Sequence, residues 1–329
     1  MATLLGDILF ILIVILILVV AAGIIAPLET LSWWAGWDRR VEAPEFVPAA
    51  PADPDPTHGE VPRYYIVYLS GIGTSDPNYL TDKETQFLDA LDARLPGAIL
   101  VRDIFPYSST NTPLTENRPL AGFYRMWSKV VRRLPLMPLL AVITVRNLFQ
   151  VATSADGRYG PLYNFGTARQ IALSLVRHGY QMGDPEPVVL MGLSGGGQIA
   201  VGAVPILRSL IKAPVWVVSI GGVLTSDSGI MAAQHVWHLS GSKDNIQYVG
   251  RKVYPGCWRM FPNSAWNQAV RGNKITFIPM GPMKHMGHGD YMSRSAKLAE
   301  GESYVQKTIE VIAESLQSIP SPLPEEATA

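Results

Sequence analysis

The sequence is poor in cysteine and in charged side chains, and each shortage excludes a class of protein. A single cysteine, Cys257, cannot form an intramolecular disulfide, so the fold must depend on its hydrophobic core. Lys and Arg total 27 and so do Asp and Glu, so no basic field favours nucleic acid as a partner. Charged residues make up only 16% of the 329 residues, which directs attention to the apolar segments.

The longest apolar segment lies near the N-terminus, where 19 residues from Ile8 to Ala26 carry no charge. As a helix it would be roughly 28 Å long, close to the hydrocarbon thickness of a bilayer. Tryptophans and then arginines follow it, as in an interfacial belt: Trp33, Trp34, Trp37, Arg39 and Arg40. We therefore expect residues 1–40 to be a single-pass anchor that binds the lipid bilayer through residues 8–26, with the body on the cytoplasmic side. A cleaved signal peptide is the alternative, although no basic residue precedes the run.

Proline content divides the rest of the chain. Residues 41–62 contain six prolines and predict a semi-rigid linker rather than a packed core. Residues 63–318 form the expected folded domain, and residues 319–329 have the composition of a disordered tail.

Short, β-branched and mostly continuous apolar runs recur through the folded domain. They cover Tyr64–Ser70, Ala98–Asp103, Pro187–Met191, Pro214–Ile220, His235–Ser240 and Lys274–Met280. This pattern is typical of strands buried on both faces, as in a parallel sheet covered by helices. A capping box at Thr81–Glu84 predicts one of these helices, and Asn164–His178 predicts another. We predict an α/β fold with a doubly wound, mostly parallel sheet of about six strands.

Glycines crowd around one serine in VVLMGLSGGGQIAVG, residues 188–202, between a predicted strand and a predicted helix. Gly192-x-Ser194-x-Gly196 in that setting is the pattern of a nucleophile elbow, in which a tight turn exposes the serine hydroxyl. The helix N-terminus beneath the serine favours negative charge there. At this motif the chain resembles the α/β-hydrolase superfamily of serine esterases and lipases. A purely structural glycine turn is the alternative.

The resemblance implies that an acid and a histidine follow the serine in that order. Asp244 lies after the strand two beyond the elbow and matches the acid, while Asp227, after the preceding strand, is the alternative. Two histidines, His285 and His288, follow the last strand. We favour His285, five residues past the strand and so within short reach of the serine, and His288, which is flanked by glycines, is the alternative. They also permit a metal site with Asp290, but that reading leaves the elbow unexplained. We expect neither metal nor cofactor.

An ester-cleaving serine also needs two N–H groups aimed at the developing oxyanion. The resemblance assigns one to the backbone of Gly195 and the other to the Gly-rich loop after the first strand, at Ile72 or else Gly71. Ser70 stands where lipases usually have a histidine. A plain turn is the alternative for this loop.

Residues 107–163 exceed what a minimal sheet needs and predict a helical cap over the site. Basic residues recur there at helical spacing, at Arg125, Lys129, Arg132 and Arg133. The next apolar stretch contains Pro135 and Pro138, which we expect to break it. The cap either covers the sheet edge or acts as a lid that contacts anionic lipid.

These features predict a membrane-anchored serine hydrolase that cleaves carboxylic esters, with acyl lipids as one substrate class, through an acyl-enzyme. The alternative is an α/β-hydrolase fold that serves as a non-catalytic membrane scaffold, because a fold alone does not guarantee chemistry.

Overall fold

The computed structural model describes residues 64–76, 80–115 and 137–320, with scattered positions between 6 and 31 and between 121 and 126. The predicted linker, residues 41–62, lies outside the described residues, as do most of the predicted anchor and of the predicted tail. Within the described part of the chain, no helix combines the length and apolar character needed to cross a bilayer.

A single sheet of six strands forms the centre of the described structure, and every neighbouring pair is parallel. The strands are β1 Tyr64–Leu69, β2 Ala98–Val101, β3 Val188–Leu193, β4 Val215–Ile220, β5 Val236–Ser240 and β6 Ile275–Pro279, in the spatial order β2-β1-β3-β4-β5-β6. The prediction of an α/β fold with a parallel sheet of six strands is thus confirmed. The prediction of burial on both faces is wrong for β6, because this strand lies at the sheet edge and exposes residues such as Phe277.

Helices cover both faces of this sheet. They are α1 Asp82–Arg94, α2 Met137–Ala155, α3 Gly160–Arg177, α4 Gly195–Ile211, α5 Gly229–Ala232, α6 Tyr248–Val253, α7 Ala265–Arg271 and α8 Tyr304–Gln317. Leu175 of α3, Leu207 of α4 and Trp266 of α7 pack on one face. Leu91 of α1 and Ile312 of α8 pack on the other. The predicted capping box opens α1, with the Thr81 side chain accepting from the Glu84 N–H.

The prediction that proline breaks the apolar stretch is wrong at Pro138, because this residue lies within the 19-residue helix α2. Pro135, the other predicted break, lies outside the described residues. In the described helix Pro138 is the second residue, where a backbone N–H has no intrahelical acceptor, so proline loses no hydrogen bond there.

The topology gathers several loops at one edge of the sheet. Strand β1 lies between β2 and β3, so the chain moves outward to β2 and then returns to the other side of β1. Such a reversal leaves a crevice outside the carboxyl ends of the two central strands, where α/β proteins commonly bind ligands. The loops after β1, β3, β5 and β6 all leave the sheet at this edge, because the strands are parallel.

Candidate active site

Ser194 sits directly between β3 and α4 in a backbone conformation that side chains rarely adopt, with φ 54° and ψ −119°. Such a residue costs on the order of 1–3 kcal/mol and persists only where the surrounding structure enforces it. Close backbone packing enforces this conformation. At Gly192 an added Cβ would lie 2.5 Å from backbone atoms of Gly196. At Gly196 itself an added Cβ would lie 2.3 Å from the Leu69 carbonyl oxygen. The two glycines therefore allow β1, β3 and α4 to approach closely enough to form the turn.

A continuous hydrogen-bonded chain joins the predicted serine, histidine and acid. Ser194 Oγ lies 2.7 Å from His285 Nε2. His285 Nδ1 lies 3.0 Å from each carboxylate oxygen of Asp244. These contacts use both ring nitrogens, so His285 can take a proton from the serine while the carboxylate stabilises the resulting imidazolium.

Asp244 is fully buried and its carboxylate is held from several directions. The Tyr291 hydroxyl donates to Oδ2 at 2.8 Å, and the backbone N–H groups of Ile246 and Gln247 donate to Oδ1 at 3.1 and 3.2 Å. Burial alone would raise the pKa of Asp244, but its bonds and charge interaction with His285, together with the Tyr291 and Gln247 bonds, keep that pKa below its usual value. The group therefore stays ionised at neutral pH, as a carboxylate that orients an imidazole must.

The alternative acid lies elsewhere. Asp227 accepts from the Gly229 backbone N–H at 2.8 Å and from Gln198 Nε2 at 3.0 Å. Its side chain therefore holds the start of α5, and burial raises its pKa against these two bonds. The structure brings Asp244 to the histidine and places Asp227 in a local turn.

The second histidine is also separate from this chain. His288 is exposed, at the outer side of a loop closed by the Lys284 N–H, which donates to the Gly289 carbonyl at 2.8 Å. Asp290 forms an ion pair with Lys83. The described residues contain no cluster of three acidic, histidine or cysteine side chains able to hold a metal.

The two predicted oxyanion donors lie next to each other. A Cβ built on Gly195 would lie only 2.7 Å from Ile72 Cγ2, so the loop after β1 covers the N-terminus of α4. Within the described residues, no acceptor is found for the backbone N–H of Gly195 or of Ile72. The carbonyl of Gly71, the other predicted donor, accepts from the Thr74 N–H at 3.2 Å, and its own N–H likewise has no acceptor within the described residues.

Two side chains from the long insertion fix this loop. Asn147 Nδ2, on α2, donates to the carbonyls of Ile72 at 2.8 Å and Thr74 at 2.7 Å. The Tyr107 hydroxyl donates to the Ser70 carbonyl at 2.8 Å. By engaging the carbonyls, these bonds set the orientation of the loop's peptide groups and hence the direction of its N–H groups.

An apolar side chain of α2 lies at the site, and other apolar side chains of this helix are exposed to solvent. Val151 of α2 approaches Gly195, at 2.7 Å from the position of an added Cβ. Leu148 and Phe149 of α2 are about half exposed, as is Met286, which directly follows the candidate histidine. Of the basic residues expected on the cap, Arg125 is exposed and donates to the Thr115 carbonyl, whereas Lys129, Arg132 and Arg133 lie outside the described residues.

Three polar residues at the site were not anticipated from the sequence: Tyr291, Asn147 and Gln247. Tyr291 lies six residues after His285 and also accepts from the Gly241 N–H at 2.8 Å, while Gln247 Nε2 donates to the Gly241 carbonyl at 2.8 Å. Proximity to the histidine is the only signal that could have indicated Tyr291. Asn147 is 75 residues from its acceptor at Ile72, and nothing in the local sequence links them.

No protein-family model matches this sequence, and comparison with curated proteins finds no significant match. The chemistry of the site must therefore be argued from its geometry.

Proposed function

We propose that this protein is a serine hydrolase with an α/β-hydrolase fold, which cleaves carboxylic esters through Ser194, His285 and Asp244. The observation that carries the proposal is the hydrogen-bonded chain from Ser194 Oγ through His285 to Asp244, built on a strained serine between β3 and α4. The residues also follow the chain order expected for this fold, serine, then acid, then histidine.

The reaction begins with attack of Ser194 Oγ on the ester carbonyl carbon. Its proton moves to His285 Nε2, and Asp244 stabilises the imidazolium that forms. The carbonyl oxygen becomes an oxyanion that the N–H groups of Gly195 and Ile72 receive, supported by the N-terminus of α4. Collapse breaks the bond to the alkoxy oxygen, which leaves as the alcohol with the proton from His285.

Hydrolysis of the acyl-enzyme repeats these steps with water. His285 Nε2 takes a proton from the water as its oxygen attacks the acyl carbon, and the second tetrahedral species uses the same two N–H groups. On collapse the Ser194 oxygen recovers the proton and the carboxylic acid departs. The net change is ester plus water to acid plus alcohol, and it requires neither metal nor cofactor.

The insertion supports an apolar substrate. Residues 107–163, as a cap, contribute Val151 and Tyr107 beside Gly195, where Ile72 also lies. The apolar side chains of Val151 and Ile72 favour esters with an acyl chain over small polar esters. Together with the apolar run of residues 8–26, this makes a membrane-anchored enzyme acting on acyl lipids the form of the proposal we favour.

The test is ester hydrolysis by the purified full-length protein in detergent, using p-nitrophenyl esters of increasing acyl length. The wild-type protein should release p-nitrophenol. The Ser194→Ala variant lacks the nucleophile, and its kcat should be lower on the order of 10⁴–10⁶-fold. Ser228→Ala, at an exposed serine before α5, serves as the control and should retain full activity. Hydrolysis that survives Ser194→Ala would contradict the mechanism, and a folded wild type without any activity would favour the non-catalytic scaffold.

A further inference from the structure

A long segment next to the site carries basic residues but no acidic ones. Between Asp244 and Asp290 the sequence contains six Lys or Arg residues and no Asp or Glu. Part of this segment, from the last turn of α6 to the loop before α7, presents a mixed basic and apolar surface to solvent. We define this basic-apolar surface as Lys252, Val253, Trp258, Arg259, Met260 and Phe261, all of them exposed.

The apolar exposure on this surface is large for single side chains. Met260 is 72% exposed, Val253 63%, Phe261 45% and Trp258 42%. Scattered exposed apolar residues are ordinary, but a contiguous group of large ones with charged neighbours commonly marks an interaction site. Trp258 and Phe261 also lie together, with ring centroids 6.4 Å apart.

The backbone that carries these side chains is firmly held. Asn267 Nδ2, on α7, donates to the carbonyls of Trp258 at 2.8 Å and Phe261 at 3.0 Å. The Trp258 indole N–H donates to the Lys252 carbonyl at 3.1 Å, and Arg271 donates to the Pro262 carbonyl at 2.6 Å. The exposure is therefore built into the fold, because the polar groups of the segment are satisfied within it.

Exposed apolar side chains extend along the chain from the candidate site to this surface. Exposed apolar side chains begin two residues after Asp244, at Ile246, and continue at Val249 and Val253 of α6. Met286, 64% exposed, adds another next to His285.

We propose that the basic-apolar surface docks the body of the protein onto a bilayer that contains anionic lipid. Lys252 and Arg259 match the negative headgroups, while Trp258, Met260 and Phe261 match the boundary between headgroups and acyl chains, where tryptophan is enriched. An acidic protein partner would match the positive charge of this surface. It would not explain why apolar side chains are exposed there. The proposal stands whether or not Ser194 is catalytic.

The test places a fluorophore on this surface in the full-length chain. Met260→Cys is labelled with an environment-sensitive maleimide, and Glu314→Cys, exposed on α8 at the opposite face of the sheet, is the control position. The native Cys257 should react slowly, because burial, opposed by the charge of Arg251, raises the pKa of its thiol to about 11. Vesicles contain phosphatidylcholine alone or with phosphatidylserine, each with and without a lipid carrying a shallow quencher.

We expect a blue shift and quenching at position 260 with phosphatidylserine vesicles, a weaker effect with phosphatidylcholine, and none at position 314. Lys252→Gln/Arg259→Gln should lower the ratio of docked to undocked protein about thirty-fold, at roughly 1 kcal/mol for each basic side chain. Arg294→Gln/Lys297→Gln, which removes two exposed charges before α8, should leave the ratio within about two-fold, since the neighbouring Ala296 and Leu298 pack on the opposite face of the sheet. Raising the salt from about 0.1 M to about 1 M should weaken docking, as the Debye length falls from about 10 to about 3 Å.

Several results would overturn the proposal. They are a reporter at position 260 that stays in water with anionic vesicles, equal quenching at position 314, or equal losses in the two charge variants. If position 260 ignores vesicles but responds to polyglutamate, the surface binds an acidic protein instead.

Discussion

Replacing Tyr291 with phenylalanine tests how the structure holds the acid of the candidate site. The tyrosine hydroxyl donates to Asp244 Oδ2 and accepts from the Gly241 N–H, both at 2.8 Å. Tyr291→Phe keeps the ring, which is almost fully buried, and so removes these two bonds without opening a cavity in the core. Its effect should report the hydrogen bonds alone.

The expected loss of stability follows from the two groups that lose the tyrosine hydroxyl, the Asp244 carboxylate and the Gly241 N–H. A hydrogen bond to a charged group contributes about 1.5–3 kcal/mol, and a buried N–H without an acceptor costs about 1–3 kcal/mol. Asp244 retains His285 and the N–H groups of Ile246 and Gln247, so we expect a value towards the low end of the sum, about 3 kcal/mol. For a domain of this size that corresponds to a melting temperature lower by about 6–12 °C. Because the triad members remain, kcat should fall only about tenfold, far less than when a member is removed.

The effect on stability should depend on pH. The folded-state pKa of Asp244 lies below its usual value, so its contribution to stability is present above about pH 4 and is lost as the pH falls through the folded pKa. Tyr291→Phe removes one cause of that lowered pKa and makes the contribution smaller. The difference in stability between wild type and variant should therefore be largest at neutral pH and decrease as acid protonates Asp244.

The assay is thermal unfolding of both proteins at a series of pH values, alongside ester kinetics. Tyr159→Phe is the matched control, because the Tyr159 side chain is 48% exposed and its hydroxyl makes no hydrogen bond within the described residues. An unchanged melting temperature at neutral pH, or a difference that widens towards acid pH, would refute the reasoning.

Three further changes test other parts of the site. His285→Ala should reduce kcat by about 10⁴-fold or more. His288→Ala should change kcat by no more than about twofold, because His288 lies outside the hydrogen-bonded chain. The reverse pattern in ester kinetics would assign the role of base to His288. Asn147→Ala releases the loop that carries the proposed oxyanion donor Ile72. It should lower kcat by about 10–100-fold with little change in KM, because such donors act in the transition state, and a raised KM at constant kcat would contradict this. Gly196→Ala forces a Cβ against the Leu69 backbone carbonyl and should lower the free energy of unfolding by more than about 4 kcal/mol, as measured by thermal unfolding. Gly157→Ala, which has open space around the added Cβ, should be neutral. Similar melting temperatures for the two variants would show that the turn at Ser194 can relax.

The sheet could be predicted from the sequence because its strands are continuous apolar runs rich in β-branched residues. This composition is distinctive for buried parallel strands, as at Val215–Ile220. The exposure of β6 could not be predicted, since being at an edge depends on which strand is last in space. The continuity of α2 at Pro138 could not be predicted, because the effect of a proline depends on its position within the helix.

The candidate site could be predicted where it depends on chain order and could not where it depends on loop conformation. The spacing of the glycines around the serine identifies Gly192, Ser194 and Gly196. The position directly after β5 identifies Asp244. His285 and His288 are three residues apart, and only the fold of the loop shows which one reaches the serine. Tyr291 and Asn147 hold the site through contacts between segments that are distant in sequence, so no local pattern reveals them.

The most direct test of the central claim is covalent labelling of Ser194 by a fluorophosphonate. This reagent forms a bond from phosphorus to an activated serine oxygen and releases fluoride, and it requires no knowledge of the substrate. Intact-mass analysis of the full-length protein should show one added phosphonyl group, which peptide analysis locates on Ser194. Labelling should disappear in Ser194→Ala, fall strongly in His285→Ala and remain in Asp227→Asn. A folded wild-type protein that takes up no label, or takes it up at another serine, would contradict the claim that Ser194 is an activated nucleophile.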